Sequence, residues 1–434
     1  MKIKFVKMGI NGEGIGYIDH HPVFCDGVLP GEVAEVEIIE EKKNYSKAEM
    51  KKIIRYSPDR IRPASPFYIE EGCPLMVLNY DAQLKFKKLL LEEALYKYGN
   101  VRNRLVRDIR PSENIFCYRS QCKLPVQESN KHITTGMYVP GTNHYHPVDH
   151  SVIHSKELED TRMAVLDKID HSSLKAYDQK TMKGLRYLVI RTIGGKSQCT
   201  LVTGKDKISD ALINAIMKVE GMQGVFQSIN TDRRSVQIFG SRIRKLAGNE
   251  YLPAEMGGIK LELAPEAFFQ LNVQQAEKMY QTAVGKIDPC DTMVEAYAGV
   301  GAISLMAKDK AKHIIGIESV QDAVASAKRN AQLNQITNAE FICDDAAEGL
   351  KKILAERDVD TLVCDPPRSG MDDEMLKVIS ESSIRKIIYI SCNPATLARN
   401  LKELKHHYQV RTVIPFDLFP NTPHVESVTV LERA

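Results

Sequence analysis

The chain is 434 residues long, 43% hydrophobic and 26% charged, with a formal net charge of +3, so two to three domains of roughly 150 residues with ordinary cores are expected. No apolar run approaches the ~20 residues of a membrane span, and MKIKFVKMGINGEG lacks the apolar block of a signal peptide, so no membrane contact and a cytoplasmic location are expected. The nine cysteines are scattered without a C-x-x-C pair, which argues against a disulfide framework or a zinc site.

The first ~57 residues read as short strands with Gly turns. Ala34-Glu35-Val36-Glu37-Ile38 has the alternation of a half-buried strand, and such closely spaced strands predict a small OB-like barrel. Pro58 to Pro66 reads as a linker, and Asp81 opens a helix that Gly99 stops. Residues 110 to about 260 read as mixed α+β, with strands FCYRSQCKLPVQ, LRYLVIRTI, SQCTLVT and SVQIFG and a helix DALINAIMKVEG. From about 262 strands alternate with helices: TMVEAYAG, HIIGIES, AEFICDD, DTLVCDPP, KIIYISCN and SVTVLER. That alternation predicts an α/β domain whose ligands gather at the carboxyl ends of a mainly parallel sheet. Basic clusters occur at Lys97, Arg102, Arg104, Arg107, Arg110, Arg119 and Lys123, and at Lys183, Arg186, Arg191 and Lys196. They suit a polyanion, or simply a solvated face.

VEAYAGVGAISLMA is a strand, a Gly-x-Gly turn and a helix, in which Gly299 and Gly301 allow a ligand close to the backbone. Glu318 ends the next strand, where a carboxylate can accept from both ribose hydroxyls. The third Gly of a dinucleotide fingerprint is replaced by Ser304, which disfavours NAD and fits S-adenosylmethionine, a nucleoside cofactor with no phosphate to cradle. Asp344 and Asp345 stand at the following strand end, one of them available to the adenine amino group, with solvated loop acids the plainer reading. Asp365 is delivered to the rim by TLVC, beside a loop stiffened by Pro366 and Pro367. Arg368 occupies the place of the stacking aromatic in amino-methyltransferases and argues against amino-group methylation. Cys392, held before Asn393-Pro394, reads alone as a core cysteine. Sharing a rim with Glu318 and Asp365 favours a nucleophile instead. His424 and Glu426 precede the last strand, Glu426 as a base or a surface ion-pair partner.

These stretches, together with APEAFFQLN, YAGVG, CDPPRSG, YISCNPATLARNL and DLFPNTPHVESV, closely resemble the RNA 5-methyluridine methyltransferases, and the first ~57 residues resemble a TRAM RNA-binding barrel. The resemblance implies a TRAM β-barrel over 1–57, a central α+β RNA-recognition domain over 58–260 and a Rossmann-like methyltransferase domain over 261–434. The helix over 81–98 is expected to pack on the last of these. Carbon 5 of uracil is a weak nucleophile until a thiolate adds to carbon 6. The resemblance makes Cys392 that thiolate and Glu426 the base that removes the carbon-5 proton. It makes Gln270, Tyr297, Gly299, Gly301, Glu318, Asp344 and Asp365 cofactor contacts, with Pro366, Pro367, Arg368, Asn393, Pro394 and His424 in the substrate loops.

Many TRAM-bearing relatives hold an iron–sulfur cluster on a C-x5-C-x2-C stretch and a fourth cysteine. Only Cys73 survives here: Glu70 takes the middle place, no cysteine lies near Ser65, and the fourth falls by His150. No metal or cluster is therefore expected, with Cys73 a packing residue. The TRAM barrel points to 23S ribosomal RNA as substrate. The alternatives are a T-loop uridine of transfer RNA, or an idle RNA-binding protein. A monomer is expected.

Overall fold

The structure is a computed structural model that describes residues 1–139, 142, 144–232 and 237–434. Along the chain run β1 (Lys2–Met8), β2 (Gly14–Ile18), β3 (His21–Cys25), β4 (Val33–Glu41), β5 (Ser46–Arg55) and α1 (Tyr80–Gly99). Then come β6 (Gln121–Ser129), β7 (His132–Tyr138), β8 (Tyr145–Pro147), α2 (Lys156–Asp170), β9 (Leu185–Ile193), β10 (Lys196–Thr203), α3 (Asp210–Met217), β11 (Met222–Ile229) and β12 (Ile243–Gly248). A hairpin of β13 (Leu252–Met256) and β14 (Ile259–Leu263) leads to α4 (Val273–Gly285), β15 (Cys290–Ala296), α5 (Ala302–Met306), β16 (Ala311–Glu318), α6 (Gln321–Leu333), β17 (Ala339–Cys343) and α7 (Ala346–Glu356). The chain closes with β18 (Thr361–Cys364), α8 (Asp373–Glu381), β19 (Lys386–Ser391), α9 (Pro394–Leu404), β20 (Tyr408–Phe416) and β21 (Glu426–Arg433).

Two compact units result. The first is Met1–Ile115 with Cys392–Lys402 and Thr412–Ser427; the second is Phe116–Ser391 with Glu403–Arg411 and Val428–Ala434.

In the first unit the expected barrel closes in the order β1-β2-β3-β5-β4, with β4 returning to pair with β1. Alternation works as read from the sequence: Ala34 and Val36 join Ile3, Phe5, Val23 and Ala48 inside, while Glu35 and Glu37 face water. Glu32 is fully buried where the barrel closes, and it accepts from Arg60 at 2.6 and 2.8 Å and from the Leu29 and Ser57 amides. A buried carboxylate is tolerated because every lone pair has a donor. α1 begins one residue before Asp81, capped by the Asn79 side chain on the Ala82 amide at 2.9 Å. Gly99 is its last residue, not its stop; left-handed Asn100 ends it. Gly99 is needed for approach, since a Cβ there would lie 3.2 Å from the Ala398 Cα of α9.

In the second unit, the strands expected at 116–127, 185–193 and 197–203 are β6, β9 and β10. They lie in a sheet of order β12-β11-β10-β9-β6-β7-β8. α2 and α3 bring Leu158, Val165, Ile169, Leu212 and Ile216 into its core. The strand expected at SVQIFG does not form over 237–240, and Ser235 and Val236 lie outside the described residues. The carbonyls of Gln237 and Ile238 are instead satisfied by the Asn230 side chain at 2.8 and 2.9 Å, and β12 is the edge strand.

The α/β portion has the order β17-β16-β15-β18-β19-β21-β20. β15 through β19 pair in parallel, as their near-continuous apolar runs require of strands covered on both faces. β20 was not expected. Its YQVRTVIPF alternates exposed and buried residues only in its first half. Among the described residues no helix is long and apolar enough to cross a membrane.

Candidate active site

β15 ends in a turn built for close approach. Tyr297 has φ +66°, a left-handed conformation costly for a side chain with a Cβ, followed by Gly299 at +54° and Gly301 at +82°. A Cβ on Gly301 would come within 2.8 Å of the Phe341 ring, whereas one on Gly299 would meet nothing within 4 Å. The first glycine therefore leaves open space over the turn, and the second allows packing against β17. Glu318, at the end of β16, accepts from the Gly299 amide and the Val320 amide, both at 2.9 Å.

Ser304 has a reason of its own. Its amide donates to buried Glu295 at 2.7 Å and its hydroxyl donates to the same oxygen, while burial pushes the Glu295 carboxyl up to about 8. A glycine there would leave that acid with one donor fewer.

Asp344 is held by Lys352 at 2.6 Å, which keeps its carboxyl below the usual range. Asp345 caps α7 through the amides of Ala347 and Glu348. Asp365 follows β18 and is partly buried; desolvation pushes its carboxyl up to about 7, against the pull of the Tyr280 hydroxyl, which donates to it at 3.2 Å. Gln270 donates to that same hydroxyl at 3.0 Å. Pro366 is buried, Pro367 and Arg368 are exposed, and Gly370 closes the loop with a 2.8 Å bond to the Pro367 carbonyl.

These residues all belong to the second unit. Cys392, Asn393, Pro394, His424 and Glu426 belong to the first. Cys392 follows β19 and is partly exposed. Asn393 caps α9, accepting from the Ala395 amide at 3.0 Å, and Pro394 takes the first helical position, where its missing N–H costs nothing. β21 neighbours β19, and the Arg433 amide donates to the Arg385 carbonyl at 2.9 Å. The end of β21 thus meets the start of β19, the strands run antiparallel, and Glu426 stands at the same end of the pair as Cys392. Glu426 is 7% exposed.

The loop leading to Glu426 is anchored on α1. Fully buried Lys87 donates to Asp417 at 2.5 Å and to the Phe419 carbonyl at 3.0 Å. Gln83 and Asn421 exchange hydrogen bonds at 2.9 and 3.1 Å. His424 stands edge-on to Phe419, with ring centroids 6.5 Å apart.

The chain in which these elements stand is matched over most of its length by one family model. The model for tRNA (uracil-5-)-methyltransferases covers residues 79–434, and that for the TRAM domain covers 1–51. The chain belongs to the tRNA (uracil-5-)-methyltransferase family. It is an RNA methyltransferase with a TRAM barrel and an S-adenosylmethionine-dependent fold. An uncharacterized RNA methyltransferase of Bacillus cereus (strain ATCC 10987) is 34% identical over 440 residues, 98% of this chain and 95% of that one. One from Listeria monocytogenes serotype 4b (strain F2365) is 34% identical over 431 residues, 97% and 95% of the two chains. The fold matches that of Pyrococcus abyssi tRNA (uracil-54, C5)-methyltransferase in complex with S-adenosyl-L-homocysteine, with TM-score 0.81 and 24% identity over 99% of this chain and 100% of that one.

Several residues of this methyltransferase do work that its sequence did not announce. Arg191, counted in a basic cluster, is buried and donates to the carbonyls of Ala264 and Ala267, so it shapes the APEAFFQLN loop and faces no polyanion. Arg186 is held by Asn230 and the Asp232 carbonyl. Arg102, Arg104, Arg107 and Arg110 are exposed. Tyr280, Glu295 and Lys87 were missed; in sequence they look like ordinary helix or strand positions.

The donor set for an iron–sulfur cluster does not fit. Ser65 donates to Glu71 at 2.6 Å, Cys73 is buried with its thiol toward the Glu71 carbonyl, and exposed His150 lies 3.3 Å from Glu159. Among the described residues, no three His, Cys, Asp or Glu side chains group as a metal site.

Proposed function

We propose that this methyltransferase adds a methyl group to carbon 5 of a uridine in 23S ribosomal RNA through a covalent cysteine adduct. The observation that carries the reading is Cys392 and Glu426 at one end of an antiparallel strand pair. The Cys392 thiolate adds to carbon 6 of a uracil extruded from its stack, which makes carbon 5 nucleophilic. S-adenosylmethionine, when bound, supplies the electrophilic methyl group. Glu426 then takes the carbon-5 proton, the double bond re-forms and the Cys392 sulfur leaves as thiolate. Gln270, Tyr297, Glu318 and Asp365 would hold the cofactor, with Asp344 toward the adenine and the open space over Gly299 free for it. Arg368, Pro366 and Pro367, with Asn393, Pro394 and His424, would line the way for the base.

The barrel over 1–57 and the region 58–260 serve RNA recognition in this reading, 261–434 carries the chemistry, and the protein acts in the cytoplasm as a monomer without a cluster. Transfer RNA is the second reading. A tRNA-modifying enzyme from Pyrococcus abyssi shares the fold along its whole length, so the barrel alone does not select ribosomal RNA.

Incubation with 5-fluorouridine-substituted 23S fragments and tRNA transcripts, with S-adenosylmethionine present, tests both. Fluorine blocks proton removal, so a gel-stable covalent complex is expected with the ribosomal fragment and not with Cys392→Ala. No complex with either RNA would sink the mechanism and leave the idle-protein alternative; a complex with the tRNA alone would change the substrate.

A further inference from the structure

We propose that Tyr280 is a positioning residue whose hydroxyl joins Gln270 to Asp365 and sets the orientation of both side chains. The inference rests on the reading that those two residues hold S-adenosylmethionine. Tyr280 lies on α4, only 6% exposed, while Gln270 precedes that helix and Asp365 follows β18. Their polar atoms form one chain: Gln270 Nε2 to Tyr280 Oη at 3.0 Å, and Tyr280 Oη to Asp365 Oδ2 at 3.2 Å.

The direction of that chain follows from what each group can donate. An ionised carboxylate only accepts, so the single phenolic proton is spent on Asp365. The tyrosine oxygen then has only lone pairs left, and Gln270 must present its NH2. Its amide carbonyl and its second N–H are then the groups left to offer a bound molecule, in an orientation fixed by the first N–H. Bonds in such a chain polarise one another, so the hydroxyl counts for more than one isolated contact.

The same chain sets the charge of Asp365. Burial holds this carboxyl at about 7 against the opposing pull of the Tyr280 hydrogen bond. Of the other groups that interact with it, Glu295 on β15 is itself pushed up to about 8, and the Cys364 thiol at the end of β18 is driven far up by burial and stays neutral. The charge of Glu318 adds to the rise of Glu295. Removing the hydroxyl must raise Asp365 further, so that less of it is ionised near neutrality and full ionisation returns only at higher pH.

Tyr280→Phe keeps the buried ring, and with it the packing, while deleting the donor. S-adenosylmethionine binding by the full-length protein, measured calorimetrically from about pH 6 to about pH 9.5, should weaken about fivefold near neutrality and about tenfold at the acid end, the effect of one pKa unit. It should return to within about threefold of wild type at the alkaline end, where both proteins hold Asp365 ionised. Carboxyl 13C NMR with label in aspartate alone excludes Glu295 from the readout. One aspartate titrating near neutrality should move to higher pH in the variant. An equal loss at every pH, unchanged binding, or an unmoved aspartate titration would overturn the proposal. Wild type failing to bind S-adenosylmethionine would instead overturn the cofactor-site reading beneath it.

Discussion

Lys87→Met would strip the counter-ion from Asp417 in a place where neither residue touches water. Both side chains are 0% exposed and their charged atoms are 2.5 Å apart. Burial pushes the Lys87 amine down, while Asp417 pulls it back up. Breaking one partner of a buried pair costs about 3–5 kcal/mol, because the remaining charge is stranded, whereas removing both charges together is often close to neutral. The Phe419 carbonyl also loses its donor, within the same order of about 1–3 kcal/mol and not additive to it. Lys87→Met is therefore expected to lose about 3–5 kcal/mol, and Lys87→Met with Asp417→Asn to recover most of that. The chain has no tryptophan, so urea unfolding is best followed by circular dichroism at the helix band. A loss under about 1 kcal/mol in the single variant, or a double variant as unstable as the sum of the singles, would refute the argument.

Other substitutions separate the reasons for individual residues. Gly301→Ala must place a Cβ against the Phe341 ring at positive φ, so it should destabilise by more than the roughly 1–2 kcal/mol of left-handed backbone alone, while Gly299→Ala should stay near that figure; thermal melts of the two compare them. Ser304→Ala removes one of the two donors on Glu295 and is expected to cost about 1–3 kcal/mol in urea unfolding. Glu295 rises from an ordinary 4.5 to about 8 on folding, so the folded state holds the extra proton and stability falls as pH rises across that window. Glu295→Gln should remove about half of that fall in a stability-against-pH series, leaving the comparable part due to Asp365, which rises from 3.8 to about 7.

The strands β15 to β19 were legible because buried parallel strands demand near-continuous apolar runs, and the barrel because its strands alternate. The sequence could also tell that Cys392 ends one of those runs. β20 was not legible: its first half is amphipathic and a proline sits near its end, the pattern of a loop or an edge. Lys87 stands in a helix crowded with charge on several faces, so nothing local separates the one lysine that is buried from its exposed neighbours. Tyr280 owes its part to Asp365, 85 positions along the chain, and Glu295 to a burial that exists only once the fold is assembled. Arg191 misled in the opposite direction, since a cation that satisfies two loop carbonyls looks the same in sequence as one facing a phosphate.

Lys87 and Asp417 also impose a timetable. They are 330 positions apart, which at about 5–20 residues per second separates their synthesis by roughly 15–65 seconds. During that interval the barrel can close, but α1 cannot bury its lysine, because the carboxylate that makes burial tolerable has not yet been made. The unit that carries Cys392 and Glu426 is completed only when Cys392–Lys402 and Thr412–Ser427 follow Met1–Ile115 from far along the chain. A chain stopped before Asp417 would accordingly carry a closed barrel and an α1 whose Lys87 has no buried counter-ion, so the first unit would stay incomplete.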